Sequence, residues 1–231
     1  GRMEGLQISG FSNTVVDTVT GMQLTGFSNI SRKDMRGMQL SGFSNLAMAE
    51  MNGAQISGFS NVALEDVNVM QIAGFANYAE TVNGLQISGF GNVAKDTVRG
   101  LQTAGFVNYA KTLHSVQISG YMNIASEEVH GVQIAGFINY AKNVKGMQIG
   151  FINICDSMRG APLGFFSYVK SGYHKFEIGA STLLPTTIDF KTGIYKFYNI
   201  FSVGYADRNF GSIHAAGVGF GSEFGERLGE R

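Results

Sequence analysis

The sequence predicts an all-β protein: a β-solenoid of about ten to eleven repeats of 15–16 residues, followed by a C-terminal antiparallel β-meander that caps it. Three observations carry that expectation. One short motif returns along most of the chain at a nearly constant spacing, the signature of a repeat architecture. Its period is too short for a helical hairpin, which takes about thirty residues or more. The composition, with 32 Gly, 18 Phe, 9 Tyr and only 2 Pro, suits short strands joined by tight corners.

The repeat organises residues 1–170. A Gln recurs at Gln7, Gln23, Gln39, Gln55, Gln71, Gln86, Gln102, Gln117, Gln133 and Gln148. Each is followed by Gly-Phe or Gly-Tyr and then by an Asn, at Asn13, Asn29, Asn45, Asn61, Asn77, Asn92, Asn108, Asn123, Asn139 and Asn153. The consensus is G-φ-Q-φ-[ST/A]-G-F-x-N-φ-A, where φ is apolar, and an eleventh, degraded copy carries Pro162 for Gln and Ser167 for Asn. Another apolar position, from Val19 to Val144, lies four residues before each Gln, so the length variation must fall between the Asn and that residue. From residue 61 onwards, copies with Tyr78, Tyr109 and Tyr140 after the Asn alternate with Val or Ile copies that are one residue longer, giving a double period of 31.

Each copy reads as two strands. In Leu6-Gln7-Ile8 apolar and polar side chains alternate, a period-2 signal. Phe11 falls off that parity, so the chain turns at Ser9-Gly10. If one copy makes one coil, ten copies form a rod roughly 48 Å long at the strand spacing of about 4.8 Å. If the 31-residue unit is the coil, the rod is half as long and broader. A meander of hairpins fits the period equally. The Gln and Asn columns are expected to form amide ladders between neighbouring copies, because buried amides must be paired. The Phe column, present behind every corner Gly, is expected inside as a stacked core.

Residues 171–231 form a second segment. Alternating stretches near 175–183, 186–194, 197–206 and 212–224, with turn signals at Pro185, Thr192-Gly193 and Asp207-Arg208-Asn209, predict about four antiparallel strands. Such a sheet would cover the open end of the solenoid. The same Phe/Tyr alternation also fits strands of an outer-membrane barrel, but four are too few to close one, and the chain ends at Gly-Glu-Arg-Leu-Gly-Glu-Arg without a terminal aromatic.

Composition excludes several functions. Seventeen Lys+Arg balance 17 Asp+Glu and both signs are scattered, so no basic face for nucleic acid is expected. The lone Cys155 rules out an internal disulfide and a multi-cysteine metal site. No apolar run reaches the ~18 residues of a membrane-spanning helix. No signal peptide precedes the repeat, and the Gly1-Arg2-Met3-Glu4 start is read as an end from which one has been removed.

The chemistry-bearing residues do not converge in sequence. His114, His130, His174 and His214 lack zinc-motif spacing, so neither a metal nor a cofactor is expected. Cys155 replaces a repeat Ala and reads as a small buried side chain. Gly217-Val218-Gly219-Phe220-Gly221 has no helix or Lys-Ser/Thr behind it to make a phosphate loop. Glu65-Asp66 and Glu127-Glu128 sit at corners, where charge serves solubility. No catalytic residue is assigned. Tyr78, Tyr109 and Tyr140 are the candidate ligand-binding stripe, since flat rings at regular spacing stack on sugars or partner side chains, although the same residues also read as packing for their shorter copies.

The G-φ-Q-φ-x-G-F-x-N copies over residues 5–153, with Gly172-Tyr173-His174-Lys175, Lys191-Thr192-Gly193 and Phe197-Tyr198-Asn199-Ile200 behind them, resemble the bacterial surface-repeat proteins of Bacteroidetes and spirochaetes. That resemblance implies a cell-envelope or surface location, and carries over no activity, ligand or catalytic residue. The expectation is a non-enzymatic structural or adhesion module with a protein or glycan partner at the envelope, and with end-to-end or edge association open to it. The alternative is glycan binding through the Tyr stripe, and behind it a carbohydrate-active enzyme built on a β-helix.

Overall fold

The computed structural model describes residues 1–180, 182, 184–208 and 211–223. One copy makes one coil. The long strand Val19–Thr25 pairs in parallel with Met3–Ser9 below and Met35–Ser41 above, Gln on Gln and Gly on Gly. The short strand Ser28–Ser31 pairs likewise with Ser12–Val15 and Ser44–Ala47, Asn on Asn. Parallel pairing excludes a meander of hairpins, and the one-copy register excludes a 31-residue coil. The degraded copy adds a last turn, with Gln148 opposite Pro162 and Asn153 opposite Ser167.

Length variation sits where the spacing required. Ala110 faces Ala125, but Thr112 faces Glu128, so the extra residue of the longer copy bulges at the corner after the Asn strand. The remainder of the coil keeps its register because its interior is filled. Three long-strand residues point inward, for instance Val19, Gln23 and Thr25, and two short-strand residues, Asn29 and Ser31, meet them. The apolar half of the interior is one continuous cluster, built from the Val/Met/Leu column and the Ala column that ends in Cys155 and Val169.

Two Gly columns let the coils approach this closely. At Gly21, Gly37 and their equivalents φ is positive, and a Cβ would overlap the carbonyl oxygen of the coil below. At the corner Gly26 and Gly42 a Cβ would overlap the preceding corner carbonyl in the same way. The turn expected at Ser-Gly is therefore where the chain bends.

The Phe column corrects the expectation of a stacked core. Its rings are outside. Phe27, Phe43, Phe59, Phe75, Phe90 and Phe106 each keep 41–43% of their surface in water. The reason is the phase reset at the corner: after Gly26, both Phe27 and Ser28 face outward before Asn29 turns in. The narrow interior, already filled by amides and small side chains, has no room for a ring in every coil.

Parallel coils end at Val169, and an antiparallel sheet follows, formed by Tyr173–Gly179, Thr186–Ile194, Phe197–Arg208 and Gly211–Gly221 in sequential order. Of the residues expected to make its turns and strands, Ser181, Leu183, Asn209 and Phe224 lie outside the described residues, as does the closing Gly225–Arg231. The sheet covers the last coil through side chains that are cross-strand partners, His174, Thr192 and Asn199. His174 Nε2 donates to the Val169 carbonyl at 2.8 Å, Thr192 Oγ1 to Ser167 at 3.0 Å and Asn199 Nδ2 to Gly164 at 2.8 Å. The Ser167 and Val169 carbonyls, which a further coil would have paired, thus find donors here.

Candidate functional site

The polar ladders lie inside. Each Gln Nε2 donates to the Gln Oε1 of the preceding coil at 2.7–3.0 Å, from Gln23 on Gln7 to Gln148 on Gln133. The Asn ladder runs the opposite way: each Asn Nδ2 donates to the Asn Oδ1 of the following coil at 2.9–3.1 Å, from Asn13 on Asn29 to Asn139 on Asn153. The same Asn Nδ2 also donates to a backbone carbonyl of the next coil, as Asn45 does to Ile56 at 2.8 Å. From Gln23 to Gln148 the Gln side chains are fully buried, so this row holds coils together and offers nothing to a ligand.

Tyr78, Tyr109 and Tyr140 face outward on the short-strand flank. Their register partners are Val62, Val93, Ile124 and Ile154, so successive Tyr lie two coils apart with an aliphatic residue between them. Tyr109 Oη donates to Ser126 Oγ at 3.3 Å. The three rings thus form a row on a largely apolar flank, with the corner hydroxyl of Ser126 within reach of Tyr109.

That surface is the feature sequence reasoning missed. From Gly5 to Val169, no Lys, Arg, Asp or Glu occurs between the residue two before each Gln, or before Pro162, and the residue two after each Asn, or after Ser167. All eleven cations and eleven anions of residues 1–170 fall in the complementary stretch, on one edge of the rod. There they form cross-coil pairs, with Lys33 Nζ 3.0 Å from Asp17, Lys111 Nζ 3.4 Å from Asp96 and Lys145 Nζ 3.9 Å from Glu128. His114 and His130 stack on this edge at 4.9 Å, and His130 Nε2 lies 2.7 Å from Glu128. The hydrogen bond with His130, then Lys145, hold the Glu128 carboxyl below the usual carboxylate range.

The opposite edge carries the rings. Phe11 to Phe165, with Tyr121 among them, stack face to face at centroid spacings of 4.8–5.7 Å. Phe165 then meets Phe201 of the C-terminal sheet edge-on at 5.6 Å. Phe201 lies in a cross-strand row with Phe176, Phe190 and Val218. Phe176, Ile178, Val203 and Val218 are mostly exposed, so this sheet face prolongs the apolar edge. Its other face carries Lys175 and Lys191, both 2.6 Å from Glu177.

The remaining candidates stay apart. Among the described residues, no three His, Cys, Asp or Glu side chains come together in a geometry that could hold a metal ion. Burial, with Asp156 behind it, pushes the Cys155 thiol up to about 12. Gly217–Gly221 lies in an extended strand. A concavity of about 440 Å³ between the last coil and the sheet is lined by Met158, Val169, Ile194, Tyr195 and the cations Arg159 and Lys196, with no carboxylate or imidazole among its lining residues. Among the described residues, no helix is long and apolar enough to cross a membrane.

Fold and surface together define a parallel β-solenoid with a sheet-capped end and an amphipathic cross-section. No protein-family model, curated protein or solved structure matches the chain.

Proposed function

We propose that the chain is a non-enzymatic structural or adhesion module of a bacterial cell envelope, a rigid rod that works through its repetitive outer surface. The observation that carries this reading is the segregation of that surface, with every charge of residues 1–170 on one edge and the stacked rings on the other. An enzyme needs convergent groups at one place, whereas a repeated surface offers the same contact in each coil. The resemblance of its copies to bacterial surface-repeat proteins supports the envelope setting. A protein or glycan partner would meet a flank of the rod.

Glycan recognition through Tyr78, Tyr109 and Tyr140 is the alternative. It draws on the regular two-coil spacing, while the aliphatic neighbours of the rings supply no polar groups to orient a sugar. Replacing all three with Val, the residue two of their neighbours already have, should leave the melting temperature nearly unchanged. Loss of glycan-array binding in that variant would favour the alternative.

Protease shaving of intact cells, with membrane fractionation alongside, tests the main reading. Release of repeat fragments from whole cells is the expected result. Recovery only in the soluble cytoplasmic fraction after lysis would overturn it.

A further inference from the structure

The apolar edge, interrupted by an outward Ser column only in the first coils, is too extensive to be an ordinary surface. In one coil, Leu24 lies outward on the long-strand flank, Phe27 at the edge and Ile30 outward on the short-strand flank. About nine residues of charge-free chain at about 3.3 Å each, over about ten coils at about 4.8 Å, make a strip on the order of 1,400 Å². The largest apolar patch on a typical soluble monomer is about 300–600 Å². The strip wraps a wedge, with apolar side chains on both flanks as well as along the crest.

We infer that this wedge inserts into the acyl region of a lipid bilayer, the rod lying along the surface with its charged edge in water. The wedge shape selects the occupant. A two-fold related copy would lie against one flank and leave the other wet, whereas fluid acyl chains close on both flanks at once. The polarity of the cross-section is that of an interfacial amphipathic element, here built from β-coils. Continuity with the sheet extends the same face beyond the last coil, through Phe165 and Phe201 to Phe190 and Phe176. Because eleven cations balance eleven anions on the far edge, attraction to anionic headgroups contributes little, and apolar burial is the driving term. The inference rests on the envelope reading only for its cellular setting.

The chain has no Trp, so single indoles report depth directly. With the full chain and vesicles of zwitterionic phosphatidylcholine, the protein should float with the lipid and remain bound in high salt. In Phe59→Trp the emission should shift to the blue on binding and be quenched by lipids brominated in their tails. In Glu65→Trp, on the charged edge, neither should occur. Combined Phe43→Glu, Phe59→Glu and Phe75→Glu should weaken binding by roughly tenfold or more. Should that variant fail to fold, the two conservative indole variants still decide. Absence of flotation, equal quenching at both positions, binding confined to anionic vesicles and lost in salt, or a dimer that shields the indole of Phe59→Trp without lipid would each overturn the proposal. Vesicle binding in vitro and shaving of cells are separate readouts, so failure of one leaves the other identifiable.

Discussion

Val69 and Ser115 stand in the long-strand column where nine other copies have Gly with positive φ, and they adopt φ of 124° and 139° themselves. Such backbone costs a residue with a Cβ about 1–3 kcal/mol. Val69→Gly and Ser115→Gly should therefore each raise stability by about 1 kcal/mol, after the entropy cost of Gly in the unfolded chain. Urea unfolding of the single and double variants checks this, and the two gains should add because the sites lie three coils apart. Cys155 offers a second test. With its thiol held at about 12 and almost fully buried, alkylation at pH 8 should be slower in the folded protein by roughly a thousandfold from thiolate fraction alone, and should become rapid on unfolding. The pH sign follows: the unfolded thiol ionises from about pH 8.5, whereas the buried one stays neutral up to about 12, so the fold loses stability through this group progressively as pH rises between those values.

A coil is held by directional amides as much as by apolar burial, and its weak point is where the Gln ladder stops. Pro162 replaces the eleventh Gln, and the buried Gln148 Oε1 has no hydrogen-bond partner. Pro162→Gln should place a donor opposite that oxygen and stabilise the last coil by about 1–2 kcal/mol. Hydrogen exchange of the Gly146–Leu163 amides is the measurement, and unchanged protection there would refute the assignment. The opposed directions of the two ladders have a physical consequence as well. Their side-chain dipoles oppose along the rod, so neither end accumulates a large potential from them.

At the scale of the whole molecule, the sheet is fastened to the last coil by His174, Thr192 and Asn199, each donating to a carbonyl. Thr192→Val with Asn199→Leu would remove two of these donors and leave the buried carbonyls of Ser167 and Gly164 unpaired, at about 1–3 kcal/mol apiece. The expected outcome is that the sheet loosens before the solenoid, visible as early proteolysis between Val169 and Tyr173 while the coils stay protected. A single melting step with unaltered proteolysis would count against that fastening. The capped end is also the more apolar end: the outward position before each Asn is Ser12, Ser28 and Ser44 at the start, but Ile138, Ile152 and Phe166 near the sheet.

The repeat, its one-residue length variation, the corner Gly columns and the antiparallel meander were legible because each is a local pattern. Strand parity, Gly position and spacing reside in single copies and are simply multiplied by stacking. The same pattern also contains the amphipathic edge, since a charge-free stretch in every copy marks one side of any coil of that length. It is masked because Phe behind a corner present in every copy looks like a core residue when apolar is equated with inside. Which side of the wall Phe27 occupies depends on the phase of the chain after Gly26 and on the width left between two strands already filled by Gln23 and Asn29. Only the closed coil fixes both. Likewise the choice of one copy per turn over two, and the joining of Phe165 to the sheet at Phe201, come from backbone pairing between residues far apart in sequence, a geometry that no single repeat carries.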